Sequence, residues 1–193
     1  MIRELKILLT AMDSYLFGHL HAYVSEANTQ LMLWLSVLGS HFFLLPANIL
    51  LITWLLVVRK DRVRGLTVLV VELGSVLLLF LLKYYFRRVR PLHPVHEAAS
   101  GYSFPSGHAM SALTFYGLII YLFVAAIPNK ALKLLLAVVL CLLILAIGLS
   151  RVYLRVHYAS DVLGGFLFGG LWLASSLRIL QYMFKKRHYE NLR

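Results

Sequence analysis

Long apolar runs separated by short polar or basic breaks dominate this chain. Five runs, at about 42–58, 66–82, 109–127, 131–149 and 162–180, approach or reach the roughly 20 helical residues that cross a hydrocarbon layer. The first forty residues behave differently. Arg3, Glu4, Lys6, Asp13, His19 and His21 interrupt every window there, so no span is expected. Ile2, Leu5, Leu9, Met12 and Leu16 recur every three or four positions and predict an amphipathic helix, either lying in the membrane interface or capping the bundle. Charge within this stretch, with no small-residue cleavage site after it, argues against a cleavable signal peptide. The pattern predicts an all-α integral membrane bundle: five transmembrane helices plus an N-terminal amphipathic or interfacial helix, forming a single domain over residues 1–193.

Composition strengthens the membrane reading, since 61% of the 193 residues are hydrophobic and 14% charged. A formal charge of +11 raises the question of nucleic acid. The basic residues, however, fall in short clusters between apolar segments with no continuous aromatic-interleaved patch, so no nucleic-acid partner is expected. Anionic head groups and phosphorylated substrates fit better. Cys141 lies inside a Leu/Val/Ile run, where it is expected to pack, and as the single cysteine it can form no intramolecular disulfide.

Candidate chemistry gathers at the ends of the apolar runs. Lys83 and Arg90 are close to two helical turns apart and share a face if the helix continues to Pro91; alternatively they are a membrane-flanking basic cluster with Arg87 and Arg88. Pro105-Ser106-Gly107-His108 opens the third run, with Ser106 suited to an N-cap and Gly107 free of any side chain that would block close approach. Free N–H groups at such a helix start cradle anions, and His108 at the rim can donate or accept a proton. Beyond the fourth run stand Ser150-Arg151, then His157 and Asp161. On a helix the last two would face each other one turn apart, Asp161 accepting the Nδ1 proton and leaving Nε2 as nucleophile or base. Arg151 offers a planar, permanently charged fork for phosphate oxygens.

Lys, six residues, Arg-Pro; then Pro-Ser-Gly-His; then Ser-Arg, five residues, His, three residues, Asp: this succession resembles the type 2 phosphatidic acid phosphatase superfamily at every motif position. The resemblance implies that His157 attacks phosphorus to form a phosphohistidine, and that His108 protonates the leaving oxygen and later activates water. It further implies that Asp161 orients His157, while Lys83, Arg90, Arg151, Ser106 and the Gly107 backbone hold the phosphoryl oxygens. No metal or other cofactor is implied. The expected partners are the bilayer and a lipid phosphate or lipid diphosphate, of the phosphatidylglycerol phosphate, undecaprenyl pyrophosphate, phosphatidic acid or lipid A class. Many membrane members have six spans, whereas five are counted here.

Two other classes remain open from the sequence. Vanadate-dependent haloperoxidases share a similar constellation but are soluble, and a non-enzymatic lipid transporter or anion-binding protein would not need His108, His157 and Asp161 together. Glu72 is expected to be structural, Gly165 and Gly169 to pack within the bundle, and His93, His96 and Glu97 to form a polar loop. Arg59, Lys60, Arg62 and Arg64, then Lys130 and Lys133, then the tail from Lys185 to His188 fall on one side of a five-span chain. The positive-inside rule makes that side, and the C-terminus, cytoplasmic, so the candidate site should face outward from a bacterial plasma membrane.

Overall fold

The computed structural model describes residues 2–96 and 100–190, and no strand occurs among them. Helix α1 (Ile2–His21) is followed by α2 (Glu26–Leu38) and α3 (His41–Thr53), the last continuing as a π-helical turn over Trp54–Val58. Then come α4 (Arg62–Phe86), α5 (Gly107–Leu122) with a short 3₁₀ turn at Val124–Ala126, α6 (Lys130–Tyr153) and α7 (Ala159–Glu190). Five segments have the length and apolarity to span a membrane: Glu26–Val58, Arg62–Phe86, Gly107–Ala126, Lys130–Tyr153 and Ala159–Phe184.

The expected number of spans is thus found, but the first one begins at Glu26 rather than near residue 42. Its start is marked locally: the Ser25 hydroxyl accepts the Asn28 N–H at 3.3 Å and caps α2. At Gly39-Ser40 the ladder breaks, and Ser40 restarts it by accepting the Leu44 N–H at 2.9 Å. The charges of residues 3–21 belong to a separate helix and do not bear on this one.

Helix α5 occupies the centre. Ala112, Phe115 and Tyr116 pack against Leu44 of α3 and Ile144 and Ile147 of α6, and nearer the other end Leu118 and Leu122 meet Leu55, Val68 and Val71. Helix α7 approaches α5 most closely at Gly165, where an added Cβ would stand 2.7 Å from the Ser106 carbonyl and 3.2 Å from the Met110 nitrogen. That small-residue face is therefore used inside the bundle, as expected. Met12, Leu16, Phe17 and Leu20 seat α1 on Ala109, Val152, Ala159 and Val162, so the amphipathic helix caps the bundle while Ile7, Leu8 and Tyr15 face outward. The side chains of Ile2 and Leu5 lie outside the described residues. Tyr153 ties down the α1–α2 corner, its hydroxyl donating to Tyr23 O at 3.2 Å and accepting from the Ser25 N–H at 3.3 Å.

Glu72 is buried and accepts from Asn48 Nδ2 at 3.3 Å, a polar contact between α3 and α4 that suits its expected structural part. Cys141 is exposed on α6, so it faces lipid instead of packing in the core. His93 and His96 are exposed loop residues. Glu97 and the side chains from Lys185 to His188 lie outside the described residues.

Candidate active site

The C-terminal ends of α4 and α6, the N-terminal ends of α5 and α7, and the α2–α3 junction meet at one end of the bundle. Helix α4 stops at Phe86, because Arg87 adopts a left-handed conformation (φ 45°) and its N–H closes on Lys83 O at 3.0 Å. The helix therefore does not carry Lys83 and Arg90 on one face, and Pro91 is not its terminator. Beyond Phe86 no helix holds the chain, and alternate residues share a side: Arg88 and Arg90 turn inward, Arg87 and Val89 outward. Lys83, from the last turn of α4, donates to Tyr102 O at 2.6 Å.

His157 sits in the turn before α7, not on it. Its N–H and that of Val156 both reach Arg151 O, at 3.3 and 3.2 Å. Asp161, fully buried in the first turn of α7, accepts the Tyr158 N–H at 2.9 Å and so caps the helix that carries it. This local loop, and not a shared helical face, places Asp161 Oδ2 3.5 Å from His157 Nδ1. Ser103 lies between them, donating to Asp161 Oδ2 with its hydroxyl 3.5 Å from Nδ1.

Arg90 covers the opposite edge of the imidazole. It donates to Val156 O at 2.7 Å, to Ser100 O at 2.9 Å and to Gly101 O at 3.0 Å, and its Nη1 is 3.2 Å from His157 Nε2. A guanidinium has donors only, so Nε2 must accept and the ring proton resides on Nδ1, toward Asp161 and Ser103. Burial pushes the His157 imidazole below its ordinary range; the Asp161 hydrogen bond pulls partly the other way, and the Arg90 charge pushes it down further. The ring is neutral at physiological pH. Burial also lowers the Arg90 guanidinium, opposed by the charge of Asp161.

Ser106 occupies the N-cap position of α5, but its hydroxyl caps no helix N–H; instead its backbone N–H donates to Asp161 O at 3.0 Å. Among the described residues the buried Ser106 hydroxyl has no hydrogen-bond partner, and neither has Arg151 Nε. A Cβ on Gly107 would meet Leu79 Cδ2 at 3.2 Å, so the missing side chain also relieves packing against α4. His108 is half-buried on the first turn of α5, close enough for Arg151, His157 and Arg90 to act on it electrostatically. The eight sequence-predicted residues are thus gathered at one end of the bundle.

Other participants had no motif to announce them. Arg151 Nη1 donates to the Ser36 hydroxyl on α2, and Arg88 Nη1 donates to Asp161 Oδ1 at 2.7 Å. Asp13 of α1 completes an ion pair with Arg88 Nη2 at 2.9 Å. One signal was available for Asp13: it falls within the stripe formed by Met12, Leu16, Phe17 and Leu20, where a carboxylate needs a partner.

Residues 64–185 match the family described as the PAP2 superfamily. Phosphatidylglycerophosphatase B of Bacillus subtilis is 40% identical over 146 residues, covering 72% of this chain and 69% of that protein. An undecaprenyl-diphosphatase of Sulfolobus acidocaldarius is 29% identical over 150 residues, covering 75% of this chain and 66% of the relative. Among solved structures, the transmembrane PAP2-type phosphatidylglycerolphosphate phosphatase from Bacillus subtilis superimposes with a TM-score of 0.80 at 30% identity, over 93% of this chain and 87% of that one. LpxE of Aquifex aeolicus, at 24% identity, shares the fold, with a TM-score of 0.65 over 85% of this chain and 93% of its own.

Proposed function

Because the chain belongs to the PAP2 superfamily, we propose that it is an integral membrane phosphatase that hydrolyses the terminal phosphate of a lipid phosphate or lipid diphosphate through a phosphohistidine at His157. The observation that carries this reading is the 3.2 Å contact between Arg90 Nη1 and His157 Nε2. It marks Nε2 as the unprotonated nitrogen and sets a cation beside it; when the guanidinium turns from Nε2 to the phosphoryl oxygens, the lone pair is freed for attack on phosphorus.

In the first step the Nε2 lone pair bonds to phosphorus as the bond to the lipid oxygen breaks, and protonated His108 passes its proton to that oxygen. Neutral His108 then takes a proton from water, the hydroxide displaces Nε2, and inorganic phosphate leaves with both histidines returned to their starting states. Asp161 remains an anion and offsets the charge that His157 gains on phosphorylation. Arg90, Lys83, Arg151 Nε, the Ser106 hydroxyl and the Gly107 N–H take the non-bridging oxygens, two of them being buried donors with no partner among the described residues.

Phosphatidylglycerol phosphate is the first substrate to test, because the 40% identical relative and the solved structure at 30% identity both carry that activity in their names. Undecaprenyl diphosphate follows. The site opens to the extracytoplasmic leaflet, opposite the basic links at 59–64 and 130–133, and the whole of 1–193 works as one membrane domain. Phosphate release from a panel of lipid phosphates and diphosphates in detergent tests the activity, and rapid-quench labelling tests the intermediate. Label is expected at His157. Label on a serine, or no release from any lipid in the panel, would overturn the reading.

A further inference from the structure

A buried ionic chain joins the N-terminal helix to the candidate site, and the reaction scheme above makes no use of it. Asp13 of α1 is 3% exposed. Its Oδ1 accepts the Ser160 N–H at 2.9 Å, and its Oδ2 accepts the Ser160 hydroxyl at 2.7 Å and Arg88 Nη2 at 2.9 Å. Arg88 Nη1 donates in turn to Ser160 Oγ and to Asp161 Oδ1, each at 2.7 Å, and the guanidinium lies 4.0 Å from the centre of the Tyr158 ring. One arginine therefore bridges two buried carboxylates drawn from α1 and α7.

Asp161 depends on this bridge in two ways. A carboxylate with no exposure needs a cation, and Arg88 is the one in direct contact with it. The terminal torsion of an aspartate is also soft, so Oδ1 and Oδ2 can exchange unless each is held. Arg88 holds Oδ1, which leaves Oδ2 for the Tyr158 N–H, Ser103 and the His157 edge. Arg88 stands beyond the end of α4 with no helical ladder to fix it; Asp13 and Ser160 do so instead.

We infer that Arg88 and Asp13 are positioning residues, and that α1 belongs to the catalytic apparatus because it locks Asp161 in the orientation that sets the tautomer of His157. This rests on His157 acting as the nucleophile. The test uses the full chain in detergent with two readouts: phosphate release from dioctanoyl phosphatidylglycerol phosphate and dioctanoyl phosphatidic acid, and the side-chain ¹⁵N spectrum of His157, assigned by difference with His157→Ala.

Arg88→Ala is expected to lower kcat about 100-fold, as small misplacements of reacting groups do. KM should stay within about twofold, because Arg88 does not touch substrate. Methylguanidinium should restore part of the lost rate. Asp13→Asn should lower kcat roughly tenfold, in line with loss of a partner one step removed from the reacting group. Asp13→Glu should recover much of that loss, and Ser14→Ala, exposed on α1, should match the unmodified chain. The unmodified chain should hold the Nδ1–H tautomer, with Arg88→Ala and Asp13→Asn mixing the two. An unchanged His157 spectrum in both variants would overturn the proposal, as would rate losses that disappear on normalising to folded protein and do not respond to guanidinium. If the unmodified chain hydrolyses no lipid phosphate while its tautomer still depends on Asp13 and Arg88, the phosphatase reading fails and the positioning role stands.

Discussion

Ser36 in the first membrane helix accepts a hydrogen bond from Arg151 at the end of the fourth, holding one arm of a buried guanidinium whose Nε has no partner among the described residues. The contact joins the segment just before the Gly39 break to the end of α6 that borders the candidate site. Removing it strands a second buried donor, and a hydrogen bond to a charged group is worth about 1.5–3 kcal/mol. Ser36→Ala should therefore raise KM for a lipid phosphate roughly tenfold, each 1.4 kcal/mol being a factor of ten. Steady-state kinetics would decide this; unchanged KM and kcat would mean that α6 alone places Arg151.

Ser36 also marks where sequence reasoning stops. A serine in an apolar helix carries no pattern, and its partner lies 115 positions away. By contrast the Ser-Arg, His and Asp positions of the third motif are readable because their geometry is local: from Ser150 to Asp161, including the turn at 154–158 and the capping contact of Asp161 with Tyr158 N–H, the motif spans a dozen residues. Arg90 does reach the His157 ring, but not on a continuous helix: Arg87 ends α4, and the alternation of inward and outward residues delivers the side chain. The same alternation delivers Arg88, which local pattern alone assigns to a membrane-flanking cluster. The first span starts earlier than its apolar run suggests because the charges that interrupt residues 3–21 sit on α1, and Ser25 separates that helix from α2.

Asp161→Asn should reduce kcat by roughly a thousandfold, because an amide neither stabilises the cationic phosphorylated ring nor holds its tautomer. The fold should survive, since the side chain keeps its shape and the Tyr158 N–H can still be satisfied. His157→Ala should abolish turnover. Kinetics on protein shown to be folded by its thermal transition would check both, and unchanged kinetics for the asparagine variant would reduce Asp161 to a helix cap.

The acid side of the pH profile carries its own signature. His157 must be neutral to attack, and burial holds its folded-state value below the ordinary 6.5. Activity limited by this group is therefore retained below pH 6.5 and lost only as pH falls through the lower, folded value. Stability follows the same sign: the unfolded chain binds the extra proton first, so stability declines as pH drops from about 6.5 toward the folded value. The Arg90 charge is one cause of the lowering, hence Arg90→Gln should move the acid limb of kcat/KM upward. The second ionisation of the substrate is common to both proteins, so the difference between their profiles isolates the histidine. A limb that stays in place or moves down would contradict the Arg90–His157 contact.

In the proposed reaction charge neutralisation falls to Lys83, Arg90 and Arg151, and among the described residues no three His, Cys, Asp or Glu side chains converge into a metal-ligating group. Excess chelator should therefore leave phosphate release within about twofold of the untreated rate, since three cations and the start of α5 already occupy the positions a Mg²⁺ would serve. The measurement is an assay of chelator-treated protein before and after divalent ions are added back. Complete loss, restored by one ion, would oppose a cation-only phosphate site.

Orientation gives the last prediction. The links at Arg59–Arg64 and Lys130–Lys133 lie at the end of the bundle opposite His157, and by the positive-inside rule that end is expected to be cytoplasmic. The link carrying Arg87, Arg88 and Arg90 is also basic and pulls the other way. Two of its arginines, however, are turned inward and engaged, Arg88 with Asp13 and Asp161, Arg90 with backbone carbonyls and His157, so much of that charge is committed to the fold. Once Cys141 is replaced, a cysteine at exposed His96 should react with an impermeant thiol reagent in intact cells, whereas one at exposed Lys60 should react only after the membrane is opened. The reverse pattern would place the site on the cytoplasmic leaflet and would restrict its substrates to lipids presented from inside the cell.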